Sequence, residues 1–164
     1  MIGEEEFMRE VSACERTLYR VSRALLGSDA DCADAVQEAL LKAWRHRGRT
    51  DISYFRAWLT RIVINECRTI GRRRARTPAA QGELPDVPTP QRDVSLETRD
   101  ALERLSAAHR LVLTLHYLEG FSLAEIAKLT RVPLGTVKYR IVQARKALRR
   151  ELEEDGNRRG GAHL

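Results

Sequence analysis

The sequence has few of the residue arrangements that support catalysis, metal binding or disulfide frameworks. Its three cysteines, Cys14, Cys32 and Cys67, stand far apart, with no CxxC pair and no histidine at metal-ligand spacing, so burial as small apolar residues is the favoured role. The four histidines are scattered, without a Ser/His/Asp set, paired carboxylates or a phosphate-binding glycine loop. We therefore predict that the protein is not an enzyme and has no catalytic residue, metal, cofactor or small-molecule substrate.

Long apolar runs and strand signals are also missing. No segment approaches the roughly 20 apolar residues of a membrane span, and the acidic N-terminus is unlike a signal peptide. Period-two alternation and Asn-Gly hairpin signals are almost absent, whereas helical periodicity recurs along the chain. We expect a cytoplasmic, all-α protein without direct membrane insertion.

Proline is concentrated in one short segment. Four of the five prolines lie between Thr77 and Pro90, among small residues that cannot supply a packed core. This segment predicts a flexible linker over residues 77–97 between two helical domains, residues 1–76 and 98–152. The remaining residues, 153–164, are expected to form a disordered tail.

Positive charge is unevenly distributed along the chain. The net charge is +6, and residues 45–76 contain ten arginines but only two acidic residues, Asp51 and Glu66. Residues 1–44, in contrast, contain nine acidic and five basic side chains. The basic segment suits a polyanionic partner.

Residues 122–152 have the pattern of a helix-turn-helix. Ser122 and Glu125 form a capping box for a short amphipathic helix, and Pro133 stands where a second helix begins. In that second helix one stripe is apolar: Val137, Ile141, Ala144, Leu148 and Leu152. The opposite side is expected to face DNA: Gly135, Tyr139, Val142, Gln143 and Lys146, flanked by Thr136 and Lys138.

The N-terminal segment predicts two further helices with unusual outer faces. A helix opening near Asp31 buries Val36, Leu40, Ala43 and Trp44. It presents Leu41 among charged residues, as a partner-docking face or as one exposed leucine on a solvated helix. A helix over residues 55–74 directs Phe55, Trp58, Leu59, Ile62 and Ile70 inward. Its other side is a polar ridge of Arg61, Asn65, Arg68 and Arg72, continued by Arg73, Arg74 and Arg76.

Three blocks in this order resemble a known family. LYRVSRALLGSDADCADAVQEALLKAW, FRAWLTRIVINECRTIGRRR and, after the linker, LEGFSLAEIAKLTRVPLGTVKYRIVQARKAL are similar to bacterial RNA polymerase sigma factors of the sigma-70 family, extracytoplasmic-function (ECF) group. The resemblance implies sigma region 2 over residues 1–76 and sigma region 4 over 98–152. It implies three partners: core RNA polymerase, through its largest-subunit clamp and its flap, promoter DNA, and an anti-sigma factor.

The resemblance also implies roles for individual residues. The residues implied in docking to core polymerase are Asp34, Gln37, Glu38, Leu41 and Lys42. Those implied in recognising and melting the minus-10 element are Arg49, Tyr54, Arg61, Asn65, Arg68, Arg72 and Arg73. Those implied in reading the minus-35 element are Thr136, Lys138, Tyr139, Arg140, Gln143 and Lys146.

Four positions depart from the family pattern. Tyr139 replaces a usual serine, Gln143 an arginine, Arg131 a turn glycine and Thr69 a common aspartate, so the promoter sequence is expected to differ. Arg131 must adopt a positive φ or re-form the turn. Two alternatives stay open: a stand-alone dimeric helix-turn-helix regulator of operator DNA, and an RNA-binding or adaptor protein that uses the arginine ridge.

Overall fold

The computed structural model describes residues 2–76 and 94–160. Helices and turns account for all regular structure in these two segments, which form two compact units. This confirms the predicted all-α class with two helical domains. The predicted linker residues 77–93 and the last four residues, 161–164, lie outside the described residues.

The first unit is a bundle of three helices, α1 (Glu4–Leu25), α2 (Asp29–Arg45) and α3 (Phe55–Arg76). Each packs against the other two. An aromatic cluster joins them, since the ring of Phe7 meets Trp44 and Phe55 edge-on, with centroids 5.1 and 5.5 Å apart.

Two details of this bundle differ from the sequence prediction. Helix α2 begins at Asp29, ahead of the predicted start near Asp31, because the Ser28 hydroxyl caps it and accepts from the Asp31 amide at 3.3 Å. In α3 the buried stripe is rotated from the prediction. Its fully buried apolar residues are Phe55, Leu59, Val63, Ile64 and Cys67, while Trp58, Ile62 and Ile70 are half-buried.

The second unit begins with two short helices, α4 (Leu96–Glu103) and α5 (Ala107–Leu113), whose N-caps are Ser95 and Ser106. A π-helical turn, Thr114–Leu118, continues α5. The helix-turn-helix follows as α6 (Leu123–Thr130) and α7 (Leu134–Gly160), and both α4 and α5 pack against α7.

The prediction of a disordered tail from residue 153 is wrong for residues 153–160, which extend α7. Within α7 no apolar side chain follows Leu152, but charged pairs continue the packing onto α4. Arg104 donates to Asp155 Oδ1 at 2.8 Å and to Glu151 Oε2 at 3.4 Å, and Arg159 pairs with Glu97. Helix α4 itself begins at Leu96, inside the predicted linker, because the Ser95 hydroxyl accepts from the Thr98 amide at 3.2 Å.

Candidate nucleic-acid interface

The helix-turn-helix is fixed locally by its caps. The Glu125 amide donates to Ser122 Oγ at 3.1 Å, and the Ser122 amide donates to Glu125 Oε1 at 3.3 Å. These reciprocal bonds confirm the predicted capping box. At the other end of α6, the Val132 amide donates to the Ala127 carbonyl at 3.2 Å, which sets the turn into α7.

Arg131 adopts the positive φ that the sequence presented as one of two solutions. Its φ is 57°, the left-handed conformation that glycine adopts without steric cost. With the bond from Val132 to Ala127, this geometry is a Schellman motif whose usual glycine is an arginine. The turn therefore keeps the helix-turn-helix geometry at the expense of local backbone strain.

Helix α7 buries Val137, Ile141 and Ala144 and thereby orients its outer face. The residues predicted to read the minus-35 element share that outer face and its borders. Lys138, Tyr139 and Lys146 are exposed, and Thr136, Arg140 and Gln143 are half-buried at the borders. All six are accessible on one helix, as direct readout in a major groove requires.

The residues predicted to act at the minus-10 element lie on α3 and on the loop before it. Arg61, Arg72 and Arg73 are exposed on α3, while Asn65 and Arg68 are half-buried beside them; Arg49 and Tyr54 are exposed in the loop. Arg61, Asn65, Arg68 and Arg72 are spaced at four, three and four positions, so they form one ridge, and Arg73 extends it at its end. A ridge of this kind can contact successive phosphates.

The loop between α2 and α3 consists of two 3₁₀ turns, Arg47–Arg49 and Ile52–Tyr54. Arg47 holds its first part, since the guanidinium lies 3.7 Å from the Trp44 ring centroid and donates to the Trp44 carbonyl at 2.8 Å. The Asp51 carboxylate caps the second turn by accepting from the Ser53 amide at 3.2 Å. The Tyr54 ring is left 70% exposed, available to stack on an unpaired base.

The predicted docking face on α2 is solvent-accessible. Asp34, Gln37, Glu38, Leu41 and Lys42 are all exposed, and Leu41 is 45% exposed. Lys42 has an additional structural contact, because its ammonium pairs with the buried carboxylate of Glu66 on α3. The sequence did not predict that Glu66 pairs with Lys42, because the two residues are 24 positions apart.

Arg74 was predicted to continue the basic ridge, but its guanidinium binds a carboxylate of the protein. It donates to both carboxylate oxygens of Asp31, at 2.7 and 3.0 Å, and Asp31 is buried in the first turn of α2. This hydrogen bonding raises the pKa of the Arg74 guanidinium. The pair joins α2 to α3 across 43 residues, and no local sequence pattern marks it.

The three cysteines are buried, as predicted. Burial raises the pKa of Cys32 to about 12 and that of Cys67 to about 11, so both thiols stay protonated at neutral pH. Across residues 2–76 and 94–160, no three His, Cys, Asp or Glu side chains are placed to hold a metal ion. In the same two segments, no helix has the length and apolar character needed to cross a lipid bilayer.

Comparisons with known proteins agree with the division of the chain into two units. The model of "Sigma-70 region 2" matches residues 11–77, and that of "Sigma-70, region 4" matches residues 95–148. The chain is 37% identical over 150 residues to the ECF RNA polymerase sigma factor SigL of Mycobacterium tuberculosis, covering 85% of this chain and 84% of SigL. It is 28% identical over 172 residues to SigW of Bacillus subtilis, covering 92% and 91% of the two chains.

Solved structures of other proteins are also similar to this chain. The sigma factor RpoE of Bartonella quintana, in complex with the anti-sigma factor NepR, superposes with a TM-score of 0.73 at 27% identity, covering 91% of this chain and 98% of RpoE. CnrH, in complex with the cytosolic domain of CnrY, superposes with a TM-score of 0.68 at 28% identity, covering 93% and 91%. A stand-alone helix-turn-helix regulator would account for the second unit only, and nothing in these comparisons supports it. The chain belongs to the sigma-70 family of RNA polymerase sigma factors, in its ECF group.

Proposed function

We propose that this sigma factor binds core RNA polymerase as one copy, directs it to promoters through two DNA-reading surfaces, and opens the duplex at the minus-10 element. The observation that supports the proposal is that each unit exposes its own basic or polar helix face. These faces are the arginine ridge of α3 beside an open loop, and the outer face of α7 in a helix-turn-helix. Sigma factors are initiation factors and not enzymes, and we assign this chain the same role, in the cytoplasm.

The docking surface is the exposed face of α2 around Leu41. The apolar side chain of Leu41 among Asp34, Glu38 and Lys42 provides an apolar centre with a charged rim, the usual anatomy of a protein interface. The partner is the clamp of the polymerase largest subunit. A second contact, between the second unit and the flap, completes the attachment.

The minus-10 element is held by the α3 ridge and the loop before it. Arg61, Arg72 and Arg73 neutralise phosphates, and Asn65 contacts a base edge. Tyr54 stacks on a base that has left the helix, which offsets the few kcal/mol that unstacking costs. No nucleotide hydrolysis is required for this step.

The minus-35 element is read in duplex form by α7. Lys138 donates to guanine and Gln143 pairs with adenine, while Arg140 and Lys146 lie close to the groove borders. Thr136 and Tyr139 complete the reading face. Because Tyr139 and Gln143 differ from the usual family residues, the preferred element differs as well.

An anti-sigma factor is the proposed regulator. Two structures similar to this chain are complexes: RpoE was solved with the anti-sigma factor NepR, and CnrH with the cytosolic domain of CnrY. A partner that covers Leu41 on α2 would prevent attachment to polymerase.

Run-off transcription tests the proposal directly. Sigma-free core polymerase is supplied with a randomised promoter library, with and without the full-length protein, and the transcribed templates are sequenced. We expect transcripts only with the protein, from templates that share two spaced elements. If no transcripts appear while the free protein shifts duplex DNA as a dimer, the proposal is overturned in favour of an operator-binding regulator.

A further inference from the structure

The outer face of α7 carries two neighbouring apolar side chains that the protein leaves uncovered. Tyr139 is 68% exposed and Val142 is 39% exposed. They stand three residues apart, so they are adjacent on the helix surface and point away from the buried stripe at Val137, Ile141 and Ala144. Single exposed apolar residues are ordinary, but an adjacent pair at the centre of a reading face forms a small apolar patch.

The residues around this patch indicate which kind of surface binds to it. Lys138 and Lys146 are exposed beside it, and Gln143 is half-buried next to Tyr139. The patch is therefore apolar at its centre and cationic or polar around it, which matches a DNA major groove bordered by phosphates. A protein partner with an apolar centre would have to place its own polar rim against these cations.

The largest apolar group exposed in the major groove is the 5-methyl group of thymine. Val142 has no hydrogen-bonding atom in its side chain, so it cannot read the donors and acceptors of the other base edges. The ring of Tyr139 gives the neighbouring position a flat apolar wall. Together the two side chains can enclose a methyl group.

On the basis of the function proposed above, we propose that Tyr139 and Val142 bind the 5-methyl group of a thymine in the minus-35 element and set the base preference there. Lys138 and Gln143 read the flanking bases through hydrogen bonds. Because the resembled family usually has a small serine at the position of Tyr139, the methyl contact makes the preferred element of this chain depart from that of its relatives.

Replacing thymine by deoxyuridine tests the proposal, since it removes the methyl group and leaves every hydrogen-bonding atom in place. The full-length protein is assembled with sigma-free core polymerase, and its minus-35 element is selected from a randomised library. Each thymine of the selected element is then replaced in turn, and a thymine in the spacer serves as control. We expect about fourfold weaker promoter binding at one position, as for one methyl-sized group lost from an apolar contact, and no change in the spacer.

Protein variants assign the effect to the two residues. Val142→Ala should reduce the thymine-to-deoxyuridine affinity ratio to near one, whereas Tyr139→Phe should preserve it because the ring is retained. Leu96→Ala, an exposed apolar residue on α4, is the matched control and should leave the ratio unchanged. This comparison is a double-mutant cycle between one side chain and one methyl group.

The outcomes separate this inference from the function on which it rests. A selected element without thymine, equal affinities for thymine and deoxyuridine, or a ratio that survives Val142→Ala would each overturn the methyl contact while leaving promoter recognition intact. A holoenzyme that selects no element at all would overturn the proposed function and the methyl contact with it.

Discussion

At the scale of single residues, Arg131 shows the largest conflict between side chain and backbone. It is the one non-glycine residue with a positive φ in the two described segments, at 57°. A Cβ atom in the left-handed region costs about 1–2 kcal/mol, which glycine avoids. The positive charge partly offsets this cost, because Arg131 follows the C-terminus of α6, where the helix dipole favours cations.

Two substitutions separate the strain from the charge. Arg131→Gly and Arg131→Ala both remove the guanidinium, but only glycine relieves the backbone. We expect the glycine variant to be more stable than the alanine variant by about 0.5–1 kcal/mol, since the flexibility of glycine in the unfolded chain offsets part of the gain. Urea unfolding followed by far-UV circular dichroism measures the difference, and equal stabilities would contradict the strain.

Leu41 provides a residue-level test of the docking surface. We expect Leu41→Glu to weaken binding to core polymerase at least tenfold, because a carboxylate at an apolar interface centre must be desolvated without a partner. The matched control is Met8→Glu, which introduces the same charge at an exposed apolar position on α1. Both variants should keep wild-type helicity. If they bind polymerase equally well, Leu41 is not part of the interface.

At the scale of elements, α7 serves two purposes along its length. Its first turns carry the proposed reading face, and its last turns brace α4 through Arg104 with Asp155 and Arg159 with Glu97. Leu152 is half-buried at the junction between these two parts. The end of the helix is therefore held by charge pairing and not by apolar burial.

Truncation tests this bracing role. A chain ending at Leu152 loses Asp155 and Arg159 and keeps only the longer contact from Glu151 to Arg104. We therefore expect a lower thermal midpoint for the second unit and loss of helical signal beyond that of the deleted turns. A chain ending at Gly160, which keeps both pairs, is the control. If the two truncated proteins melt at the same temperature as the full chain, the pairs contribute nothing to α4.

Short-range sequence patterns predicted the start of α6 and the buried face of α7. Contacts between residues distant in the sequence could not be predicted. Ser122 with Glu125 marked the start of α6 because a capping box involves residues three apart. Periodicity likewise gave the buried stripe of α7. Periodicity did not predict correctly which face of α3 is buried. Two helices pack on α3, and they bury Ile64 and Cys67 more fully than Ile62 and Ile70. The pair of Asp31 and Arg74 lies beyond any local pattern.

At the scale of the whole molecule, some arginines are used in structural pairs and others stay exposed to solvent, where we propose that they contact DNA. The net charge of +6 understates the local density, since ten arginines fall within residues 45–76. Not all of them are available to phosphates: Arg74 is bound to Asp31 and Arg47 to Trp44. Arg72 and Arg73, which precede Arg74 in α3, remain exposed.

This division predicts which arginines contribute to the salt dependence of promoter binding. Each phosphate contact contributes about 0.7–0.9 to the slope of log affinity against log salt, because binding releases condensed counterions. We expect Arg72→Gln to reduce the holoenzyme slope by about that amount and to weaken binding to all promoter sequences alike. Arg9→Gln, which removes the same charge from an exposed position on α1, should leave the slope unchanged. Equal slope changes in both variants would mean that net charge, and not the α3 ridge, governs binding.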